Sequence, residues 1–428
     1  MRIAIVGAGI AGAATAYELA RDGHEVTVLE QRSAAAEEAS FANGGLLAPG
    51  LLRPWAAPGA LGPAPGPLLG PRALVRIASG ATRADLAWLW RWRRATGQAA
   101  KAPLPPALAA LETLARYSQA RLHQTLDTLQ MDPETCQGGL VLLRTEAEHA
   151  ALAPVLQLLR DAGVALHEVD ADAARRIEPG LSPHAPLAGA VHLPGAEAGN
   201  CRLFALMLRQ AAQELGARFQ FGAAVQRLHA ATAGAHTGVH TGVQLAGESA
   251  AQPFDAVVLC AGAASAALLR PLGLRLPLAA LHGYTVSAPL REALHAPQAS
   301  VVDARHRISI ARLGQRIRVG GGAELGGSAT AHHQPTLERL YQVLTDWFPG
   351  GAQLSGGVQV WRGTRAMLPD GPPVLGASGL PGLWLNLGHG DNGWALASGC
   401  ARVLADLVAR RTPEVAHEAL GPDRFSRF

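Results

Sequence analysis

Six residues near the start constrain this chain more than any others. Gly7-Ala8-Gly9-Ile10-Ala11-Gly12 follows the β-branched run Arg2-Ile3-Ala4-Ile5-Val6 and opens an apolar stretch of helical spacing that reaches about Arg21. A buried parallel strand, a tight turn and a helix are expected in that order. A second strand pattern, Val26-Thr27-Val28-Leu29, ends at Glu30, eighteen residues past Gly12. A dinucleotide-binding fold places there the acid that holds the adenosine ribose. In this reading Gly7 permits the turn, Gly9 lets the backbone approach a pyrophosphate, and Gly12 lets helix and strand pack. The helix N-terminus offers free N–H groups to the phosphates. Ala8, Ile10 and Ala11 in the turn, and Gln31 and Arg32 after the acid, join the candidate cofactor-binding residues. A glycine turn in some other α/β protein would need neither the acid nor its spacing.

Composition removes several other chemistries. The 428 residues are 49% hydrophobic and 16% charged, enough for two or three domains, and the formal charge of +4 calls for no polyanionic partner. Nucleic-acid binding is not expected. The chain has one lysine, Lys101, in a Pro-rich stretch, which suits neither a P-loop nor a Schiff base. Cys136, Cys201, Cys260 and Cys400 are far apart and read as small buried residues of a reducing compartment. No GxSxG or HExxH occurs, which disfavours hydrolysis. The first twenty residues lack a basic n-region and read as folded, not as a signal peptide. The uncharged runs 54–71 and 371–390 are broken by Gly and Pro, so neither is a spanning helix. A cytoplasmic protein is expected, soluble or peripheral on a membrane.

Further along, small and polar residues around Ser40, Asn43, Gly44, Gly45 and Leu46 can bring backbone N–H groups near a cofactor. Residues 83–98 interleave Trp88, Trp90 and Trp92 with Arg91, Arg93 and Arg94. A membrane-surface helix is one reading; an interdomain or core helix with a solvated Arg face is favoured. The duplication His236-Thr237-Gly238-Val239 and His240-Thr241-Gly242-Val243 reads as a slipped surface hairpin, since no acid or cysteine accompanies the histidines to make a metal site. The αβ alternation returns around Val225, and residues 255–260 run as a strand into Ala261-Gly262, as if rejoining the first sheet. Gly388-His389-Gly390-Asp391-Asn392-Gly393-Trp394 then opens a second helix whose N-terminus suits the anionic end of a flavin.

With these segments in place, the chain resembles bacterial D-amino-acid dehydrogenases of the small-subunit type, within the glycine oxidase and D-amino-acid oxidase flavoprotein superfamily. The resemblance is carried by the GAGIAG of residues 7–12, Ser40-Phe41-Ala42-Asn43-Gly44, Pro54-Trp55-Ala56-Ala57-Pro58-Gly59, Gly199-Asn200-Cys201, Gly283-Tyr284, Ile317-Arg318-Val319-Gly320-Gly321, Arg365 with Pro369-Asp370-Gly371, and Gly388-His389-Gly390. It spans essentially the whole chain. It implies an α/β fold with an α+β substrate domain. Residues 1–52, 197–275 and 355–428 would form a discontinuous, Rossmann-like FAD-binding domain, and 53–196 with 276–354 a substrate domain built on a mixed or antiparallel sheet.

The resemblance also implies noncovalent FAD, since no cysteine lies near residues 365–368. Arg365 would hold the substrate carboxylate, and Tyr284 would assist. A guanidinium and a phenol are apt for that work, because bidentate and further hydrogen bonds fix Cα against flavin N5 for hydride transfer. The implied reaction is oxidative deamination of a D-amino acid to a 2-oxo acid and ammonia, with electrons passed to a membrane quinone or other carrier. The same chemistry on D-proline, D-hydroxyproline, sarcosine or glycine is the alternative. A flavin-binding subunit or sensor without its own catalysis would have no need to keep Arg365. Two departures bear on substrate range. Where the family commonly has Leu-Arg-Pro and Gly-His-Gly-Thr, this chain has Thr364-Arg365-Ala366 and Asp391. Asp391 either faces the substrate or, the favoured reading, caps the following helix.

Overall fold

The computed structural model describes residues 1–48, 75–99, 106–161, 163–234, 238–327 and 332–425. Arg2–Val6 forms the expected strand, and its alternation decides what covers each face. Ile3 and Ile5 point into one apolar cluster, Ala4 and Val6 into another. It lies inside a six-stranded sheet ordered Val374–Ala377, Leu383–Leu387, Ala256–Leu259, Arg2–Val6, Glu25–Glu30, Arg218–Phe221, parallel except for the first strand. A parallel sheet buried on both faces needs such uninterrupted apolar strands. Ala256–Leu259 rejoins the first strand as its sequence suggests.

One face is covered by the helices Ile10–Arg21, Pro106–Leu129, Cys201–Glu214 and Gly393–Val408. The other is covered by a three-stranded antiparallel sheet of Val225–Gly234, Gly238–Leu245 and Gln252–Phe254. Val225 therefore starts a separate hairpin and is not a strand of the parallel sheet. His240 pairs with Thr232 in that hairpin, while His236 lies outside the described residues.

A second, ten-stranded mixed sheet runs Gln359–Met367, Ala279–Pro289, Arg316–Leu325, Ile308–Leu313, Ser300–Asp303, Cys136–Leu143, Gly189–Ala198, Leu46–Leu47, with Arg76–Ile77 and His167–Asp170 attached. Three elements depart from the division expected from sequence, the first being the short strand Leu46–Leu47, which belongs to the 1–52 segment but pairs with Gly189–Ala198 in the second sheet. The strand Gln359–Met367 falls in the segment assigned to the FAD-binding domain, but pairs along its whole length with Ala279–Pro289 in the second sheet. The helix Pro106–Leu129 falls in the substrate segment, yet its stripe Leu108, Leu111, Ala115 and Leu122 packs in the cluster beneath the first sheet. The reason is both apolar and ionic. Gly399 leaves room for Ser118, and Arg121 donates to Glu18, which Arg402 also holds.

The helix Arg83–Ala99 lies against the second sheet. Trp88 and Trp92 stack at 6.4 Å and are buried with Leu281, Leu325 and Met367, and Trp88 Nε1 donates to Met367 O at 3.0 Å. The outward face carries Leu86, 49% exposed, and Trp90, 62% exposed, with Arg94 over the Trp90 ring. The Pro-Trp-Ala-Ala-Pro-Gly segment at 54–59 lies outside the described residues. No helix among the described residues is long and apolar enough to cross a membrane.

Candidate active site

A cavity of about 510 Å³ runs from the Gly7 turn to the second sheet. At its nucleotide end the three glycines do different work. Gly7 sits at φ 103°, and a Cβ there would come within 2.6 Å of Cys260 O. A Cβ on Gly12 would lie 1.9 Å from Gly7 O, so helix and turn could not close. One on Gly9 would meet only Ser40 Oγ, at 3.4 Å, leaving the backbone open toward the cavity. Ser40 is buried and accepts from Ile10 N–H at 3.0 Å, which holds a hydroxyl at the helix N-terminus.

Glu30 is buried and takes one backbone N–H on each oxygen, from Ala8 at 2.7 Å and Arg32 at 2.8 Å. Two further lone pairs remain for ribose hydroxyls. Gln31, Ala11, Val225, Ala261 and Gly262 line the same end. Ala8, Gly12, Arg32 and Gly45 do not line the cavity; they support those that do. Arg32 spends its guanidinium on Glu38, and Gly45 at φ 85° turns its carbonyl to Trp394 Nε1 at 3.1 Å and Gly199 N.

Asn43, Gly44 and Leu46 bring the cofactor loop under the second sheet. Thr285 Oγ1 donates to Ala42 O, Arg318 donates to Asn43 O, and a Cβ on Gly44 would lie 2.9 Å from Ser309 Oγ. Opposite, the loop Gly388 to Trp394 feeds the helix Gly393–Val408, with Gly388 and Gly390 both at positive φ. His389 is buried in the cavity wall, and loss of water pushes its imidazole down to about 4, so it is neutral at pH 7. Trp394 turns its ring to Phe204 at 5.0 Å.

Arg365 lies across Gly283: a Cβ on Gly283 would be 2.8 Å from its Nη2. Nη1 pairs with Asp391 and Nη2 donates to Gly322 O. The helix beginning at Gly393 has Asn392 as its cap residue and no side-chain cap bond. Asp391 is thus not a helix cap, because an arginine on the neighbouring strand claims its carboxylate. Arg365 Nε, Asp391 Oδ2 and His389 Nε2 are all buried without a partner among the described residues, and all three residues line the cavity. Three such atoms in one wall call for a polar ligand.

Tyr284 also borders the cavity, but its ring is buried in the core behind the sheet, against the helix Gln334–Trp347. Its hydroxyl donates to Glu324 at 3.2 Å and accepts from His333 N–H and Arg362 Nε. Its one proton is committed, so in this arrangement it gives no third donor to a substrate. Burial alone would raise Glu324, but the hydrogen bond from Arg362 and the nearby charges of Arg76 and Arg362 hold it below the ordinary carboxylate range. Sequence reading did not single out Arg307, Thr285, Ser309 or Trp361, which complete the lining from the second sheet. No motif marks them.

An open glycine cradle, a buried acid with free lone pairs and a lined cavity roofed by a second sheet suit a flavin-dependent oxidoreductase, and the chain belongs to that family: the FAD dependent oxidoreductase model, DAO, matches residues 2–407. Among curated relatives, it is 41% identical to a D-amino acid dehydrogenase of Cereibacter sphaeroides over 99% of this chain and 95% of the relative. It is 38% identical to a D-amino acid dehydrogenase of a Methylobacterium species over the full length of both. Among solved structures, glycine oxidase from Geobacillus kaustophilus superposes with a TM-score of 0.75 at 22% identity over 98% of each chain. An L-alpha-glycerophosphate oxidase from Mycoplasma pneumoniae with FAD bound superposes at 0.72 and 16% identity over 98% of this chain and 97% of that one. Both solved structures share this fold.

Proposed function

We propose that this chain oxidatively deaminates D-amino acids to 2-oxo acids and ammonia and passes the electrons to a membrane quinone or another carrier. The observation that carries the reading is Arg365, a guanidinium braced over Gly283 in the wall of the cavity that neutral His389 also lines. Relatives named D-amino acid dehydrogenase, matched along nearly their whole length, support it. Noncovalent FAD would be held by the Gly7 to Gly12 turn, Ser40 and Glu30 at its ADP half and by the loop from Gly388 to Trp394 at its ring. When bound, it supplies the two-electron acceptor.

The protein's own part is binding and orientation. Arg365 offers Nε–H and its remaining Nη hydrogens to the α-carboxylate, which fixes Cα in one place. Tyr284, through Glu324 and Arg362, stiffens the strand behind it and is a positioning residue. The second sheet keeps bulk water away, which strengthens each of these contacts. The amine has to arrive without its proton, and neutral His389 adds no cation against it. On the outer face, Leu86 and Trp90 beside Arg94 support a lipid contact near a quinone. Vesicle co-sedimentation should fall when Trp90 is replaced by Ala, and unchanged co-sedimentation refutes that contact.

The test is stoichiometry. One D-amino acid, one water and one two-electron dye should give one 2-oxo acid, one ammonia and one reduced dye. Dye reduction by D-proline or sarcosine but by no primary D-amino acid would replace the reading with secondary-amine oxidation.

A further inference from the structure

Two arginines line the cavity, and only one has a counterion. Arg365 shares its charge with Asp391. Arg307 has neither a carboxylate nor a carbonyl partner among the described residues. Loss of water around its guanidinium brings it down to about 10, still charged at neutral pH. The other carboxylates lining the cavity, Glu30 and Glu38, are at the nucleotide end, bonded to backbone N–H groups and to Arg32.

Strand register gives its position. Ser309 pairs with Gly320 between the antiparallel strands Ile308–Leu313 and Arg316–Leu325. Ser309 faces the cofactor loop at Gly44. Arg307 lies in the turn just before this strand and lines the same cavity. Two residues forward on the partner strand is Gly322, whose carbonyl receives Arg365. A Cβ on Gly321 would be 3.4 Å from Arg307 O, which ties Arg307 to that end of the strand. Gly283, Gly320 and Gly321, which line the cavity, give it a floor without side chains. Arg307 is also held at φ 52°, a backbone conformation that residues other than glycine seldom adopt. Such residues persist where the surrounding structure over-determines them, often at ligand clamps.

We propose that Arg307 binds the substrate carboxylate from the side opposite Arg365, so that the carboxylate lies over the glycine floor between two guanidinium groups. This deepens the function proposed above and rests on it. The Arg365 and Asp391 pair is neutral as a unit, and Arg307 supplies the net positive charge. An amino acid with a neutral amine carries one negative charge and balances it. A zwitterion leaves the cation uncompensated in a poorly hydrated site, which is unfavourable. The arrangement thus selects the form of the substrate that can be oxidised.

The other anion within reach of such a cavity is a cofactor phosphate, and the test separates the two. Holoprotein carrying Arg307→Gln or Arg307→Lys is titrated with propionate and, as an uncharged control, propionamide, following the flavin spectrum. Folding is checked by melting temperature and FAD content by released flavin. Propionate binding should weaken about 10- to 100-fold in the Gln variant. The Lys variant should recover part of it, propionamide should move less than about threefold, and FAD content should match wild type. Wild-type propionate affinity in the Gln variant overturns the inference, as does a loss shared equally by propionamide. Loss of FAD in both variants assigns Arg307 to the cofactor phosphate and overturns it too. If the wild-type protein is reduced by D-alanine while the Gln variant binds propionate normally, the inference fails and the function stands. If no amino acid reduces the wild-type protein, it is the function that fails.

Discussion

Replacing Gly283 by Ala tests the placement of Arg365 without touching its charge. Gly283 is not at positive φ, so alanine brings no backbone strain there. The new methyl would sit 2.8 Å from Nη2 and 2.9 Å from Cζ of Arg365. To regain ordinary contact the guanidinium must retreat by roughly 0.6–1 Å. That is enough to break the geometry of a bidentate carboxylate contact and to disturb the bonds to Asp391 and Gly322. Charge-assisted hydrogen bonds of this kind contribute about 1.5–3 kcal/mol, so carboxylate affinity should fall roughly 10- to 150-fold. The clash falls on the far end of a flexible side chain, so the loss of folding stability should stay below about 1 kcal/mol. The assay is anaerobic reduction of the holoprotein over a range of D-alanine concentrations, with a thermal melt alongside. Unchanged apparent affinity with an intact fold would show that Arg365 does not hold the carboxylate from this position.

Three further outcomes are expected. His389 stays neutral in the folded protein down to about pH 4, while the unfolded chain takes up a proton near the ordinary histidine value of about 6.5. Its share of stability is therefore complete above pH 6.5 and is lost as pH falls toward 4, by about 3 kcal/mol; His389→Gln should flatten that acid limb in melts from pH 7 to 4. Glu30→Ala removes the ribose acceptor and frees the N–H groups of Ala8 and Arg32, so flavin should be released at least about tenfold more readily, read by fluorescence in the filtrate. Arg402→Met takes one cation from a buried cluster in which Glu18, 2% exposed, keeps the arginines at 21 and 121 while Asp22 and Asp406 keep Arg411; unfolding free energy should drop by about 1–3 kcal/mol in denaturant titrations, and no drop would contradict the packing described.

The nucleotide end was legible in sequence because its logic is local. Gly7, Gly9, Gly12 and Glu30 are within one strand, turn, helix and strand unit, where spacing alone places each residue. The far end is built from residues distant in sequence. Asp391 meets Arg365 across 26 residues, and nothing in the spacing of a loop acid tells a helix cap from an ion pair with a neighbouring strand. Tyr284 follows Gly283, and successive strand residues face opposite sides. Once Gly283 is known to face Arg365, the tyrosine has to face the core, but that parity needs the pairing of Ala279–Pro289 with Gln359–Met367. Arg307 stands in no motif, and only the fold brings the turn that carries it to the cavity. The helix Pro106–Leu129 shows helical periodicity plainly, but periodicity gives the buried stripe and not the sheet beneath it. Trp88 and Trp92 posed the same question, and burial against Leu281 and Leu325 answered it.

The central claim is that the flavin in this cavity takes electrons from the Cα of a D-amino acid. The most direct measurement is the absorbance of the anaerobic holoprotein near ~450 nm as D-alanine, L-alanine, glycine, sarcosine and D-proline are added in turn, since the flavin carries the redox chemistry. Rapid bleaching by D-alanine with none by L-alanine is predicted. Bleaching by L-alanine, or by none of the five, would contradict the account.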